Sequence, residues 1–315
     1  MILVLVTHDR GRIEESALQG LTAARSLGAD IQAVSMGVEI DDLAEYGITK
    51  QHVAIHEGLD DYTPSGWGVA LAQLTMRLMP DVVVSIGTQR GNEVMAHVGA
   101  IIGFPMVANC IEIDRSGPTW NITRTRWGGS LLEEATLDAP VKLITISEHS
   151  LEPSLADARG AYVVEKFTPE LSEAALLTKV VDRVVMSEGV TLATSPVVVS
   201  GGRGVGNPEG FAPLEELADL LGGVVGCSRV ATNNGWRPHS DQVGQTGTVV
   251  APDLYIACGI SGAIQHWVGM MAAKTILAIN TDAEAPMVTK ADYAVIGDLT
   301  PIIPAIIEEV KARLS

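Results

Sequence analysis

The stretch Gly259–Met270 reads GISGAIQHWVGM and sets Gln265 beside His266 among Ala263, Ile264, Trp267, Val268 and Met270. Its Gly-Ser-Gly opening reads as a turn into a helix, which would carry two polar side chains into apolar surroundings. A buried polar group without a partner costs about 1–3 kcal/mol. Gln265 and His266 therefore require either a neighbouring backbone or a bound molecule. Three nearby features could grip a phosphorylated ligand. Gly201-Gly202-Arg203-Gly204-Val205-Gly206 stands between a strand pattern and a helix pattern, where backbone N–H groups can approach an anion. It is not the dinucleotide fingerprint, because Asn207 occupies the place of the third glycine, and a plain tight turn reads equally well. Gly259-Ile260-Ser261-Gly262 follows a strand, with Ser261 placed to cap the next helix. The free N–H groups and dipole of that helix would seat an anion; the plain alternative is a capped helix. Gln242-Val243-Gly244-Gln245-Thr246-Gly247 offers amides and a hydroxyl to a polar heterocycle. It is not a Walker A loop, since Thr248 stands where the lysine belongs.

Other chemistry-bearing residues form no recognisable constellation. His52 and His56 are four apart but lie in a strand-like segment, so they share no helical face for a metal and read as surface histidines. His239-Ser240-Asp241 is contiguous, unlike a Ser-His-Asp site. Glu133-Glu134 reads as a solvated turn or strand end. Cys110, Cys227 and Cys258 are odd in number and widely spaced, which fits neither a disulfide framework nor a zinc site; they read as small buried hydrophobes. No nucleophile sits with its base, and neither a catalytic residue nor a metal site is expected.

The elements that must position these residues follow from hydrophobic periodicity. The chain has 315 residues, 47% hydrophobic and 19% charged, enough for about two packed domains. The net charge of −17 argues against non-specific nucleic-acid binding and against docking on an anionic membrane. No apolar run is long enough for a membrane helix, and MILVLVTHDRGR reads as a first strand, not a signal peptide. In residues 1–103, strand-like and helix-like runs alternate, predicting a mostly parallel sheet with helices on both sides. MVANCIEIDR, TWNITRTRW, SLLEEATLD and VKLITIS then follow as consecutive strands, read as an antiparallel extension. YVVEKF reads as a strand, and VVDRVVMSEG as running toward a linker. From residue 196 the α/β rhythm restarts: strand, glycines, helix APLEELADLLG, strand GVVGCS, a long loop over 229–250, strand LYIACG, helix SGAIQHWVGMM, strands TILAIN and YAVIG, and a final helix PAIIEEVKARL. Two α/β domains are expected, 1–193 and 194–315, each a mostly parallel sheet flanked by helices.

These residues, in this order, resemble a known family. The runs Gln242–Gly247, Val250–Ala257 and Gly259–His266, together with Ser200–Gly204, Cys227-Ser228-Arg229, Ala278-Ile279-Asn280, Glu284-Ala285-Pro286, Ala291-Asp292-Tyr293 and Asp298-Leu299, closely resemble the FAD-binding domain of electron transfer flavoprotein alpha subunits over nearly all of 196–300. Arg126-Trp127-Gly128-Gly129 is similar to a region of the family's first domain.

The resemblance implies a Rossmann-like C-terminal domain holding one FAD. Ser261 and Gly262, within Gly259, Ile260 and Ala263, would receive the pyrophosphate. Arg203 and Gly204 would lie along the dinucleotide, with Ser228 beside it. Asn280, Asp298 and Leu299 would hold the adenosine end. Thr246 and Gln245 would meet the polar edge of the flavin, Thr246 close to N5, with Gln242, Val243, Gly244 and Gly247 of the same loop also in the cofactor site. Gln265 would also touch the cofactor, His266 would face the C2 carbonyl, and Arg229 would lie over the ring. One-electron reduction puts negative charge near N1 and the C2 oxygen, so the histidine and guanidinium would stabilise the anionic semiquinone, while the flavin supplies the redox chemistry. The implied partners are a beta subunit carrying AMP or a second FAD, flavin-dependent dehydrogenases and a membrane quinone oxidoreductase. The implied role is an electron carrier without its own substrate chemistry, in a bacterial or archaeal cytoplasm or the mitochondrial matrix. The chain departs from the family at Thr248 (often Lys), at His239 and Ser240 (often Asn-Asp) and at Trp267 (commonly Leu). The alternative is a nicotinamide-dependent dehydrogenase or synthase on the same fold.

Overall fold

In the computed structural model, which describes residues 1–9, 11–28, 30–157, 162–180 and 190–314, the uninterrupted apolar runs become the innermost strands. The chain divides into two units, Met1–Trp127 with Leu131–Val185, and Gly128–Ser130 with Met186–Ser315. The first unit contains β1 (Ile2–Leu5), a short ribbon of β2 (His8–Asp9) and β3 (Arg12–Ile13), α1 (Glu15–Leu27), β4 (Ile31–Met36), β5 (Lys50–Ala54), α2 (Pro64–Leu78), β6 (Val82–Ile86), α3 (Gln89–Ile102), β7 (Met106–Asp114), β8 (Trp120–Arg126), β9 (Leu131–Leu137), β10 (Lys142–Ile146) and β11 (Val163–Phe167). Nine strands form one sheet in the order β11-β5-β4-β1-β6-β10-β7-β8-β9. The helices end where the backbone demands it: α3 starts at Thr88, whose hydroxyl accepts the Gly91 N–H, and stops at Gly103 with φ 73°. Apolar layers on the two faces of the sheet form its core.

Two expectations for this unit need correction. VKLITIS does not extend the antiparallel meander; as β10 it pairs parallel with both β6 and β7, while only β7, β8 and β9 run antiparallel. A strand apolar on both faces gains most where both are covered, so β10 takes an inner place. His52 is not at the surface. It is fully buried on β5 with Nε2 2.8 Å from Gln32 Oε1. VVDRVVMSEG, apart from its first residue, lies outside the described residues.

The second unit contains β12 (Val197–Gly201), α4 (Ala212–Leu220), β13 (Val224–Cys227), α5 (Arg229–Asn233), β14 (Leu254–Cys258), α6 (Ile264–Trp267), β15 (Thr275–Asn280), α7 (Pro286–Lys290), β16 (Tyr293–Ile296) and α8 (Leu299–Leu314). Its five strands are all parallel, in the order β13-β12-β14-β15-β16. Counted along the chain this is 2-1-3-4-5, a doubly wound sheet of flavodoxin order, distinct from the Rossmann 3-2-1-4-5-6. The region read as a long loop begins with α5. The last helix starts at Leu299, five residues before the expected Pro304, which it contains. All three cysteines are free and buried, as their spacing suggests, and burial pushes each thiol up to about 12. No helix among the described residues is long and apolar enough to cross a membrane.

Candidate functional site

In the second unit the chain passes from β12 to β13 on one side and then to β14 on the other. The segments that follow β12 and β14 therefore pack in separate apolar layers, which opens a crevice at the switch point. A cleft of about 520 Å³ lies there, within the range of small-molecule sites. It brings together twelve of the residues expected to bind a cofactor: Arg203, Gly204, Ser228, Arg229, Gly259, Ile260, Ser261, Gly262, Ala263, Gln265, His266 and Asn280.

The glycines serve a different purpose from the one expected. The Gly202 and Gly204 N–H groups donate to the carbonyls of Cys258 (2.9 Å) and Gly259 (3.0 Å), so they are not free for an anion. A Cβ on Gly204 would stand 2.7 Å from the Gly259 Cα, and Gly259 itself has φ +64°. The two switch-point loops thus cross backbone to backbone, and only glycine permits that approach.

Ser261 does not cap a helix. The helix shrinks to the four residues of α6, with Ala263 at its N-cap and no side-chain cap bond. Positive φ at Gly259 and Gly262 keeps the segment out of helical conformation until Ile264. Residues 259–263 form an open loop, clamped where the Met287 N–H donates to the Ser261 carbonyl at 3.1 Å. Among the described residues, the N–H groups of Ser261, Gly262 and Ala263 donate to no protein acceptor. Consecutive open N–H groups suit an anion, and here they stand on a loop, not at a helix terminus.

The Gln242–Gly247 loop does not line the cleft but reaches its wall through the Gln245 N–H, which donates to the Gln265 carbonyl at 2.7 Å. Gln242 and Val243 are buried. The Gln242 amide accepts from the Thr232 hydroxyl at 2.8 Å and donates to the Thr246 Oγ1 at 2.9 Å. Gln242 is thus saturated by the protein and aims Thr246, whose own O–H stays available. Gly244 lies against Gly269, where a Cβ would meet the Gly244 Cα at 2.2 Å.

Gln265 is exposed, so no buried amide needs explaining, and Ile264 is 57% exposed. His266 is the residue that raises the question. It is 7% exposed, and its Nε2 lies 2.9 Å from the hydroxyl of fully buried Tyr255. Its Nδ1 has no partner at hydrogen-bond geometry. Burial holds the imidazole down at about 4, offset in part by the Val243 backbone, so the ring is neutral at pH 7. Ser228 similarly has a buried hydroxyl without a partner.

Asn280 is directed to the protein: its amide donates to the Ile260 carbonyl at 3.0 Å and accepts from the Asp282 N–H at 3.1 Å. Asp298 and Leu299 are not among the residues lining the cleft. The Asp298 carboxylate accepts the Thr300 N–H at 2.8 Å, which holds it below its usual range. Val230, Asn233, Asp282 and Ala285 also line the cleft, and motif spacing alone did not single them out. The signal for Val230 is its adjacency to Arg229, and for Asn233 its one-turn spacing from Arg229 on α5; Asp282 and Ala285 follow the carboxyl end of β15. Among the described residues no group of three His, Cys, Asp or Glu side chains could hold a metal.

Arg237 anchors the segment that carries Ser228 and Arg229. It pairs with Glu215 and Asp241 and lies 5.5 Å over the Phe211 ring. Its partners are partly exposed, so Arg237→Gln is expected to cost about 2 kcal/mol, less than a fully buried pair. Urea unfolding would read this as a lower midpoint at unchanged slope; an unchanged midpoint would contradict it.

The open N–H run, the orphaned His266 Nδ1 and Ser228 hydroxyl and the glycine crossing fit a ligand with a pyrophosphate and a polar ring. Comparison with known proteins agrees. Residues 2–172 match the model of the electron transfer flavoprotein domain, and 191–271 match that of the electron transfer flavoprotein FAD-binding domain. The electron transfer flavoprotein subunit alpha of Thermoanaerobacterium thermosaccharolyticum is 36% identical, over 98% of this chain and 97% of that protein. The Mycobacterium tuberculosis protein of the same name is 37% identical over 99% and 98%, and that of Bacillus subtilis 33% over 98% and 97%. This chain belongs to the electron transfer flavoprotein alpha subunit family.

Proposed function

We propose that this chain holds one FAD in the switch-point cleft and carries electrons, as the alpha half of a heterodimer, from flavin-dependent dehydrogenases to a membrane quinone oxidoreductase. The observation that carries the reading is the orphaned Nδ1 of His266 in the same cleft as the open N–H groups of Ser261–Ala263. Those N–H groups and Arg203 would bind the pyrophosphate. Thr246, aimed by Gln242, would donate to the polar edge of the flavin. His266 and Arg229 would favour the extra electron: a neutral N–H donor and a fixed positive charge both stabilise negative charge developing on the ring. The flavin supplies the one-electron chemistry. Asn280 would act at the adenosine end by holding the loop at Ile260. Residues 1–193 would pack on a beta subunit that carries AMP or a second FAD, and 194–315 would be the FAD domain. The relatives named above are bacterial, which supports a cytoplasmic carrier.

Arg229→Ala is expected to lower the flavin midpoint potential, because removing a positive charge disfavours the reduced, more negative ring. Spectroelectrochemistry would measure this, and an unchanged or higher midpoint would contradict the charge assigned to Arg229. The rival reading, a nicotinamide-dependent enzyme, needs a general base. His266 is the candidate, but its Nε2 already faces Tyr255. A purified protein with a flavin spectrum that ignores added NAD supports the carrier.

A further inference from the structure

We propose that Tyr255 is a positioning residue that fixes the tautomer of His266: its phenol O–H donates to Nε2, so the ring proton resides on Nδ1 and is presented to the ligand. The inference deepens the flavin reading and rests on it for the identity of the acceptor. Tyr255 sits on β14 with 0% exposure, and the His266 Nε2 is 2.9 Å from its oxygen. Burial raises the phenol's pKa, so it keeps its proton at neutral pH and must place it.

Two arrangements are open. If Nε2 carried the proton and donated to the phenol, the Tyr255 O–H could turn only to the nearby Ser200 hydroxyl, which makes no hydrogen bond at accepted geometry, and Nδ1 would be left as a buried lone pair. Two groups would then lack a well-formed partner. If the phenol donates to Nε2, only the Nδ1–H remains. Each unmade buried hydrogen bond costs about 1–3 kcal/mol, so the second arrangement wins. The Val243 backbone raises the imidazole pKa against the dominant effect of burial, the sign expected when the ring shows an N–H to a carbonyl. That approach falls short of a hydrogen bond, since Nδ1 remains without a partner. A buried N–H that the protein leaves unsatisfied, on a residue lining the cleft, awaits an acceptor from outside the chain. The electron-rich C2 carbonyl edge of an isoalloxazine is such an acceptor. The second-layer logic matches that of metal-bound histidines, whose far nitrogen sets the tautomer of the near one.

The test is ¹⁵N NMR of the full-length protein, histidine-labelled, with its flavin and after flavin removal. The seven histidines are assigned by difference against His266→Gln, or His266→Asn should the first not fold. In the wild type, with or without flavin, Nδ1 is expected to show the protonated, pyrrole-like shift and Nε2 the pyridine-like one. In Tyr255→Phe the preference should reverse toward Nε2–H, and the FAD dissociation constant should rise about tenfold, the loss of one hydrogen bond. The wild-type spectrum needs no variant and decides by itself: a pyrrole-like Nε2 overturns the proposal. So does an unchanged tautomer in a folded Tyr255→Phe protein. A reversed tautomer with unchanged FAD affinity shows a core pair without a role toward the ligand, and overturns the positioning claim. Failure of the flavin reading looks different: the wild type would bind no FAD at all while its Nδ1–H signature persisted.

Discussion

Gly269→Ala is expected to weaken FAD binding roughly a hundredfold while leaving the first unit folded. The added Cβ would lie 2.2, 2.4 and 2.8 Å from the Cα, N and C atoms of Gly244. All three are backbone, so no side chain can swing aside, and overpacking of this kind costs about 3 kcal/mol. Relief requires the Gln242–Gly247 loop to move off the turn that follows α6. That movement breaks the Gln245 N–H bond to Gln265 and withdraws Thr246 from its place. A loss of about 3 kcal/mol corresponds to roughly a hundredfold weaker binding. Flavin fluorescence titration would measure it, beside thermal unfolding. Gly117→Ala serves as control, because its Cβ would meet only the Thr119 carbonyl oxygen at 3.8 Å. Wild-type affinity in Gly269→Ala would show that the loop does not shape the site.

His266→Ala should keep its FAD, within about tenfold of wild type as expected for the loss of one hydrogen bond, yet fail to accumulate the anionic semiquinone during dithionite titration. The remaining contacts, the open N–H run and Arg203, would grip the far end of the dinucleotide; only the ring edge would lose its donor. Full accumulation of the red species in the variant would contradict the role of His266. The same residue carries a pH signature. Its folded pKa of about 4 lies below the ordinary 6.5 because burial disfavours the charged ring. Between those values the unfolded chain binds the proton more readily, so stability rises with pH there. The neutral ring's contribution is complete above pH 6.5 and is lost as pH falls toward 4, by on the order of 3 kcal/mol. His8 and His52 are lowered by burial as well and leave both proteins a residual slope. Urea melts at about pH 7 and pH 5 should show a smaller drop for His266→Ala, on top of a cavity penalty common to both conditions. Parallel drops would contradict the assignment.

The α/β alternation was legible because runs such as VVVSI (82–86) and LYIAC (254–258) are apolar throughout and bounded by helical patterns or glycine. The loops after β12 and β14 were legible as a cluster for the same reason: each follows a strand, and parallel strands bring such loops to one edge. What each loop does was not legible. Gly259 and Gly262 look like the start of a helix until their positive φ shows that the chain cannot yet coil. Gln242 and Thr246 look equivalent on paper. Gln242 is removed from the site only because Thr232, ten residues away in sequence, donates its hydroxyl to the Gln242 amide oxygen. His52 reads as exposed because strand periodicity cannot reveal which face an inner strand covers. Asp282 and Ala285 enter the cleft through strand order, which local spacing does not encode. His266 was visible as an anomaly, but its Tyr255 partner depends on the register between β14 and α6.

The most direct measurement is a titration of the purified full-length protein, freed of bound cofactor, with FAD and separately with NAD, read by flavin fluorescence and calorimetry. One FAD per chain should bind, with affinity weakened roughly a hundredfold in Gly269→Ala and unaffected by excess NAD. A protein that stays colourless with FAD and tightens on NAD would contradict the assignment of the switch-point cleft to a flavin.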